Sequence, residues 1–163
     1  MEKSTIPIGL IIEPKSFHPD VFYDNVLEKV KMKEMTCEPN FGYIDQIFQV
    51  IDLKGMSLLD DGNCKVTAFV ECNIFKPSIG LKVDVNIIMI SEHGIFAEIG
   101  KNKFLVPINK IESFMTFRNG SFYHNTNPTI QIHTQDKMKV EITDFRYDNN
   151  KCYCCIASLI LPE

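Results

Sequence analysis

The chain has 163 residues, 45% of them apolar and 23% charged, with a formal charge of −4; this composition is that of an ordinary globular protein of one large or two small domains, and it excludes a disordered polymer. No run approaches the roughly 20 apolar residues of a membrane span, and Met1-Glu2-Lys3-Ser4-Thr5 lacks a hydrophobic signal core, so an intracellular, membrane-free location is expected. Residues 1 to 78 carry 8 Lys against 12 Asp and Glu, whereas residues 79 to 163 carry 9 basic and 9 acidic side chains, which excludes a polybasic nucleic-acid binder and leaves stacking and a few placed cations as the route to any RNA affinity. The acidic first half suits a basic protein partner and, equally, a solvated surface.

Ile6 to Ile12, interrupted by Pro7 and Gly9, reads as a first strand at an edge or bulge. Pro19 is expected to open a helix, since its missing N–H is harmless at the first helical position, Asp20 complements the dipole, and Phe22, Val26 and Val30 recur at helical spacing to about Met35. Phe41 to Leu53 reads as a strand of mixed pattern. Cys64 to Phe75 is a clearer one, with Cys64, Val66, Ala68, Val70, Cys72 and Ile74 alternating with Lys65, Thr67, Phe69, Glu71 and Asn73. Between them, Lys54 to Asn63 is expected to be a loop, with Gly55 and Gly62 at its ends and an apolar middle, Met56-Ser57-Leu58-Leu59. Loop tips are normally polar, so this one is either a docking plug or a loop folded back on its own sheet.

A turn at Pro77 to Gly80 then opens a strand in which Leu81, Val83, Val85, Ile87 and Met89 alternate with Lys82, Asp84, Asn86, Ile88 and Ile90. Glu92-His93-Gly94 forms a tight corner, after which Ile95, Ala97 and Ile99 point inward and Phe96 and Glu98 outward, until Gly100 ends the run. Further strands are expected near Lys103 to Pro107, Thr129 to Thr134, Met138 to Tyr147 and Lys151 to Leu161, with a turn at Asp148-Asn149-Asn150. Ser113 to Pro128, rich in aromatics, Asn, Gly and His, reads as a long excursion from a five-stranded OB barrel. The fold class that results is an α+β N-terminal domain, residues 1–78, followed by an all-β OB-fold barrel, residues 79–163.

Cys37, Cys64, Cys72, Cys152, Cys154 and Cys155 show no paired C-x-x-C spacing, so reduced structural thiols are expected and no metal site. Phosphate-loop, metalloprotease, hydrolase and deaminase signatures are missing, and the four histidines are dispersed. No catalytic residue and no cofactor are assigned.

Gly94-Ile95-Phe96-Ala97-Glu98-Ile99-Gly100 resembles the RNA-binding OB domain first described as a repeat in a small-subunit ribosomal protein. The order Glu13-Pro14-Lys15-Ser16-Phe17-His18-Pro19, a helix, Cys37-Glu38-Pro39-Asn40-Phe41-Gly42-Tyr43-Ile44 and Phe69-Val70-Glu71-Cys72-Asn73-Ile74-Phe75-Lys76-Pro77 is similar to the family of the seventh-largest subunit of RNA polymerase II, with its archaeal and polymerase III counterparts. Glu112 to Phe117 and Ile130 to Ile142 continue the likeness almost to the C-terminus. The resemblance implies a non-catalytic stalk subunit of a multisubunit DNA-directed RNA polymerase, with core polymerase subunits, a small helical stalk subunit and nascent single-stranded RNA as partners. It implies docking through the first domain, at Phe41, Gly42, Gly55, Met56, Leu58, Leu59 and Gly62, although the 54–63 loop is shorter and less glycine-rich than in the family.

By the same likeness His93 and Phe96 match the stacking aromatics of the RNA-binding OB family, while Pro107 stands where related domains carry a histidine. The cations nearest the expected face are Lys101, Lys103, Arg146 and Lys151. A core position under the long excursion is the alternative for Phe96, and solvated surface charge the alternative for the cations. A stand-alone single-stranded RNA-binding OB protein of translation or RNA decay is the alternative function. Ile, Lys and Asn number 21, 15 and 12, and Lys outnumbers Arg 15 to 2. That bias accompanies A/T-rich genomes, including those of large DNA viruses that encode eukaryote-type polymerases. The expected location is therefore the nucleus for a cellular protein and the host cytoplasm or virion for a viral one.

Overall fold

The computed structural model describes residues 1–148 and 152–161, and the chain divides into two compact units, Met1–Lys76 and Pro77–Glu163. The protein is mostly β, with one α-helix among the described residues.

In the first unit, strands β1 (Glu2–Ile12), β2 (Thr36–Glu38), β3 (Gly42–Leu58) and β4 (Cys64–Phe75) form one antiparallel sheet in the order β1-β4-β3-β2. The edge position of β1 lets Pro7 sit in it without a donor. Helix α1 (Phe22–Lys31) covers one face, packing Val26 and Val30 against Ile6, Ile8, Leu10, Ile12, Ile44 and Val70. It is shorter than the sequence suggests at both ends. Pro19 and Asp20 belong to a preceding turn closed by Val21 N–H on the His18 carbonyl, and Asp20 N–H donates to His18 Nδ1. At the other end Met35 takes φ 59° and donates its N–H to the Ile44 carbonyl, turning the chain into the sheet.

The mixed pattern of β3 has a geometric origin. The strand slips register against β4 between Ile44 and Gln46, Ile47 and Gln49, Val50 and Asp52, and Lys54 and Ser57, so every third residue, Ile44, Ile47, Val50 and Leu53, faces the helix. Such bulges each add a residue and increase the local twist. One orphaned donor of this region, Ile47 N–H, is satisfied by Glu34 Oε1 at 2.9 Å. The expected loop at Lys54 to Asn63 is corrected here: Lys54, Ser57 and Leu58 pair with Thr67, Lys65 and Cys64, and only the segment after Leu58 turns. Gly55, at φ 67°, lies in the last bulge rather than in a loop.

In the second unit, β5 (Lys82–Ser91), β6 (Gly94–Ile99), β7 (Asn102–Pro107), β11 (Lys137–Asp148) and β12 (Cys152–Ile160) close a five-stranded barrel in the order β11-β12-β7-β6-β5. Its core holds Val85, Ile87, Ile95, Ala97, Phe104, Val106, Val140, Ile142, Cys155 and Ala157. Closure depends on the short parallel contact of β7 with β12, where Cys154, Cys155 and Ile156 face Lys103, Phe104 and Leu105. Asn102, the one buried polar residue among the described ones, pins this seam: its Oδ1 accepts from Tyr153 N–H at 2.9 Å and its Nδ2 donates to the Ile99 carbonyl at 3.0 Å. A bulge between Ile87 and Met89 breaks the expected alternation of β5, so Met89 is exposed rather than inward. The excursion after β7 is itself folded, through a 3-10 turn at Ile108–Lys110 into a small sheet of β8 (Met115–Arg118), β9 (Ser121–His124) and β10 (Gln131–Ile132).

Candidate nucleic-acid interface

Residues that pair across a sheet share a face, and the barrel register therefore defines its outer rows. Met89, Phe96 and Leu105 are successive partners across β5, β6 and β7, and Ile156 of β12 continues the row. Phe96 is half-buried among these neighbours and lies on the opposite face from Ile95 and Ala97, which fill the core. Met89 and Ile156 are exposed. The next row holds Glu98, Lys103, Cys154 and Arg146, again by direct pairing. A groove of about 310 Å³ opens at the β7, β11 and β12 end of these rows, lined by Leu105, Asp144, Phe145, Arg146, Cys154 and Ile156 but not by Phe96 or Lys103.

Of the sequence-predicted RNA contacts, the fold thus brings Phe96, Lys103 and Arg146 onto one outer surface. Lys101 lies in the turn between β6 and β7, at the Lys103 end of that surface. Both lysines are near enough to Cys152 to favour its thiolate, although burial, followed by the neighbouring Cys154 and Asp148, raises the thiol overall. His93 is at the other end of β6, in the corner before Gly94, with its side chain 83% exposed and its Nε2 3.5 Å from Glu92 Oε1. A six-residue strand spans about 20 Å, so His93 and Lys101 cannot hold one nucleotide between them, though both can border one strand of RNA. Lys151 lies outside the described residues. The sequence reading passed over Met89, Leu105 and Ile156, because strand alternation alone does not tell which outer apolar side chains line up with Phe96.

The proposed docking residues divide differently. Phe41 packs against the core of the first unit, and Gly42 is buried at φ 95°, where a Cβ would lie 2.6 Å from the Phe75 carbonyl oxygen. Both are explained by the fold itself. Leu58 is 80% exposed and Met56 55% exposed, and both precede, at the end of β3, a turn in which Leu59 N–H bonds to the Asn63 carbonyl and Gly62 N–H to the Leu59 carbonyl. Asp61 accepts from both Asn63 N–H and Asn63 Nδ2, each at 3.0 Å, which fixes the tip. The β3–β4 hairpin therefore ends in an ordered apolar knob beside Asp60 and Asp61.

Comparison with known proteins adds two findings. Residues 76–156 match the S1 RNA binding domain. Along most of its length the chain is similar to DNA-directed RNA polymerase II subunit RPB7 of Glycine max, 27% identical over 146 residues that cover 84% of this chain and 82% of the relative. The Saccharomyces cerevisiae subunit of the same name is 28% identical over 137 residues, 77% of this chain and 80% of its own. The Dictyostelium discoideum one is 26% identical over 153 residues, covering 91% and 89%. With the S1 match falling almost wholly on the barrel unit and the relatives aligning across both units, this chain is a homologue of the RPB7 subunits of RNA polymerase II that carries an S1 domain.

Proposed function

We propose that this chain is a non-catalytic subunit of a multisubunit DNA-directed RNA polymerase, that its first unit attaches it to the core enzyme, and that its barrel meets emerging transcript. The observation that carries this reading is the relation to RPB7 subunits over four fifths or so of both chains, joined to an S1 unit whose outer face sets the row of Phe96 beside the row of Lys103 and Arg146. OB-type barrels hold single strands by stacking bases on exposed aromatic rings while cations follow the backbone. Attachment is assigned to the hairpin tip, Met56, Leu58 and Leu59, because an ordered apolar knob flanked by acids is shaped to enter a pocket with a basic rim. A small helical stalk subunit is a further partner in this reading. The place of action is then the nucleus for a cellular protein and the host cytoplasm for a viral one.

Purification of complexes through the tagged chain, read by mass spectrometry, tests the whole. Large polymerase subunits are expected, and ribosomes or nucleases in their place would make it a stand-alone RNA-binding protein. Leu58→Asp with Leu59→Asp is expected to release the polymerase from a chain that still folds. Undiminished copurification by the folded double variant would remove the docking assignment.

A further inference from the structure

The small sheet outside the barrel carries a recess that the stacking face does not use. It has a volume of about 270 Å³ and is lined by Thr116, Arg118, Tyr123, His124, Asn125 and Pro128. One of only two arginines in the chain sits here, its guanidinium 5.4 Å from the centre of the Tyr123 ring. Among the described residues no acidic side chain lines the recess, although acidic and basic side chains are equal in number across residues 79 to 163.

Its polar groups are held as donors. His124 Nδ1 accepts the backbone N–H groups of Thr126 at 3.3 Å and Asn127 at 3.1 Å, so the neutral ring carries its proton on Nε2. Thr116 Oγ1 donates to Asn125 Oδ1 at 2.6 Å, which leaves the Asn125 amide nitrogen as that side chain's group for a ligand. Gln131 Nε2 donates to the Tyr123 hydroxyl at 3.0 Å and steadies the ring. Donors and a fixed cation, with a flat ring beside them, suit a ligand that is rich in acceptors, anionic and planar.

We propose that this recess binds one nucleotide of single-stranded RNA, as a second contact beyond the barrel face. The inference rests on the reading of this unit as an RNA-binding one. A volume just below the roughly 300–1,000 Å³ of small-molecule sites admits one base with its sugar phosphate and little more. The position is consistent with a continuing strand. The sheet departs from the barrel where β7 ends, and Ile108 N–H bonds to the His93 carbonyl at 2.9 Å, so the excursion begins at the His93 end of the outer face.

The test uses the full chain and a labelled single-stranded RNA of about 15 nucleotides, near the upper length that one OB barrel covers. Arg118→Gln changes an exposed side chain and leaves the sheet's packing in place. It is expected to weaken binding about tenfold, with Tyr123→Ala acting in the same direction. Photocrosslinking of thiouridine-substituted RNA to the wild-type chain is expected to mark peptides containing Tyr123 and His124, a readout that needs no variant to fold. If Phe96→Ala weakens binding and Arg118→Gln does not, with no crosslink in this sheet, the recess is overturned and the barrel face stands. If the wild-type chain binds no RNA, both are overturned. If Arg118→Gln leaves RNA binding intact but lowers copurification of polymerase subunits, the recess is a protein contact and the proposal is wrong.

Discussion

The open sheet of the first unit and the closed barrel of the second bury their cores by different means, and the difference decides which surfaces are left for recognition. The sheet needs α1 to cover one face, and its bare face carries two aromatic rings that are already occupied: Lys3 Nζ lies 5.3 Å from the Phe48 ring centre and Lys54 Nζ 5.3 Å from that of Phe69. Lys3 also pairs with Glu71 at 2.9 Å. The barrel encloses its core without a covering element, so the outer side chains of β6, β7 and β12 have no share in central packing. Phe96 is not among the rings stacked on a lysine or on another aromatic. Among the described residues no lysine lies over the Phe96 ring, so a base can stack there without displacing one.

The largest expected effect separates a crowded glycine of the barrel from an open one on the sheet's edge strand. Gly94 starts β6 at φ 147°, and a Cβ there would stand 2.3 Å from the Val106 carbonyl oxygen, a backbone atom of the neighbouring strand. Gly94→Ala is expected to destabilise the chain by about 3 kcal/mol or more, since strand must move against strand. Gly9 in the open sheet has nothing within 4 Å of such a Cβ, and Gly9→Ala is expected to stay within about 0.5 kcal/mol. Denaturant unfolding of the full chain measures both. Equal costs at the two positions would mean that the β6–β7 contact at Gly94 is no tighter than the open position of Gly9 on the edge strand.

A smaller effect sharpens the contrast between rings. Phe96→Ala is expected to weaken single-stranded RNA binding by about 1–3 kcal/mol while stability changes little, because the ring lies outside the core. Phe48→Ala on the sheet is expected to leave RNA binding where it was. A loss of stability of about 3–5 kcal/mol in Phe96→Ala, with RNA affinity per folded molecule unchanged, would reassign Phe96 to packing.

The smallest effect is a pH dependence that only the barrel shows strongly. Burial pushes the Cys155 thiol up to about 12 from its ordinary 9.0, with Cys154 adding to the shift. Above about pH 9 the unfolded chain loses this proton while the folded one keeps it, so the unfolded state binds fewer protons and stability falls as pH rises from about 9 toward 12. Cys155→Ala is expected to flatten part of that fall relative to the wild type in parallel melts from pH 8 to roughly 10.5. Superimposable pH slopes would show that the thiol ionises equally in both states.

Period-2 patterning was enough to place β4 from Cys64 to Phe75, and the inward set Ile95, Ala97 and Ile99 with Phe96 opposite, because a pleated strand puts alternate side chains on opposite faces. The RPB7 likeness was equally a property of the residues in order, independent of any contact. Bulges were not legible. In β3 they turned the burial period from two to three and carried the strand five residues past its expected end at Leu53, and in β5 they moved Met89 outward. A bulge is settled by the partner strand's register and by donors brought from elsewhere, such as Glu34 for Ile47 N–H, and no local pattern encodes those. The alignment of Phe96 with Leu105 and Ile156, and of Lys103 with Arg146 across Cys154, likewise exists only once β7 meets β12 in parallel. That seam joins segments some fifty residues apart and is held by one buried asparagine, Asn102, whose two hydrogen bonds a linear reading had no means to foresee.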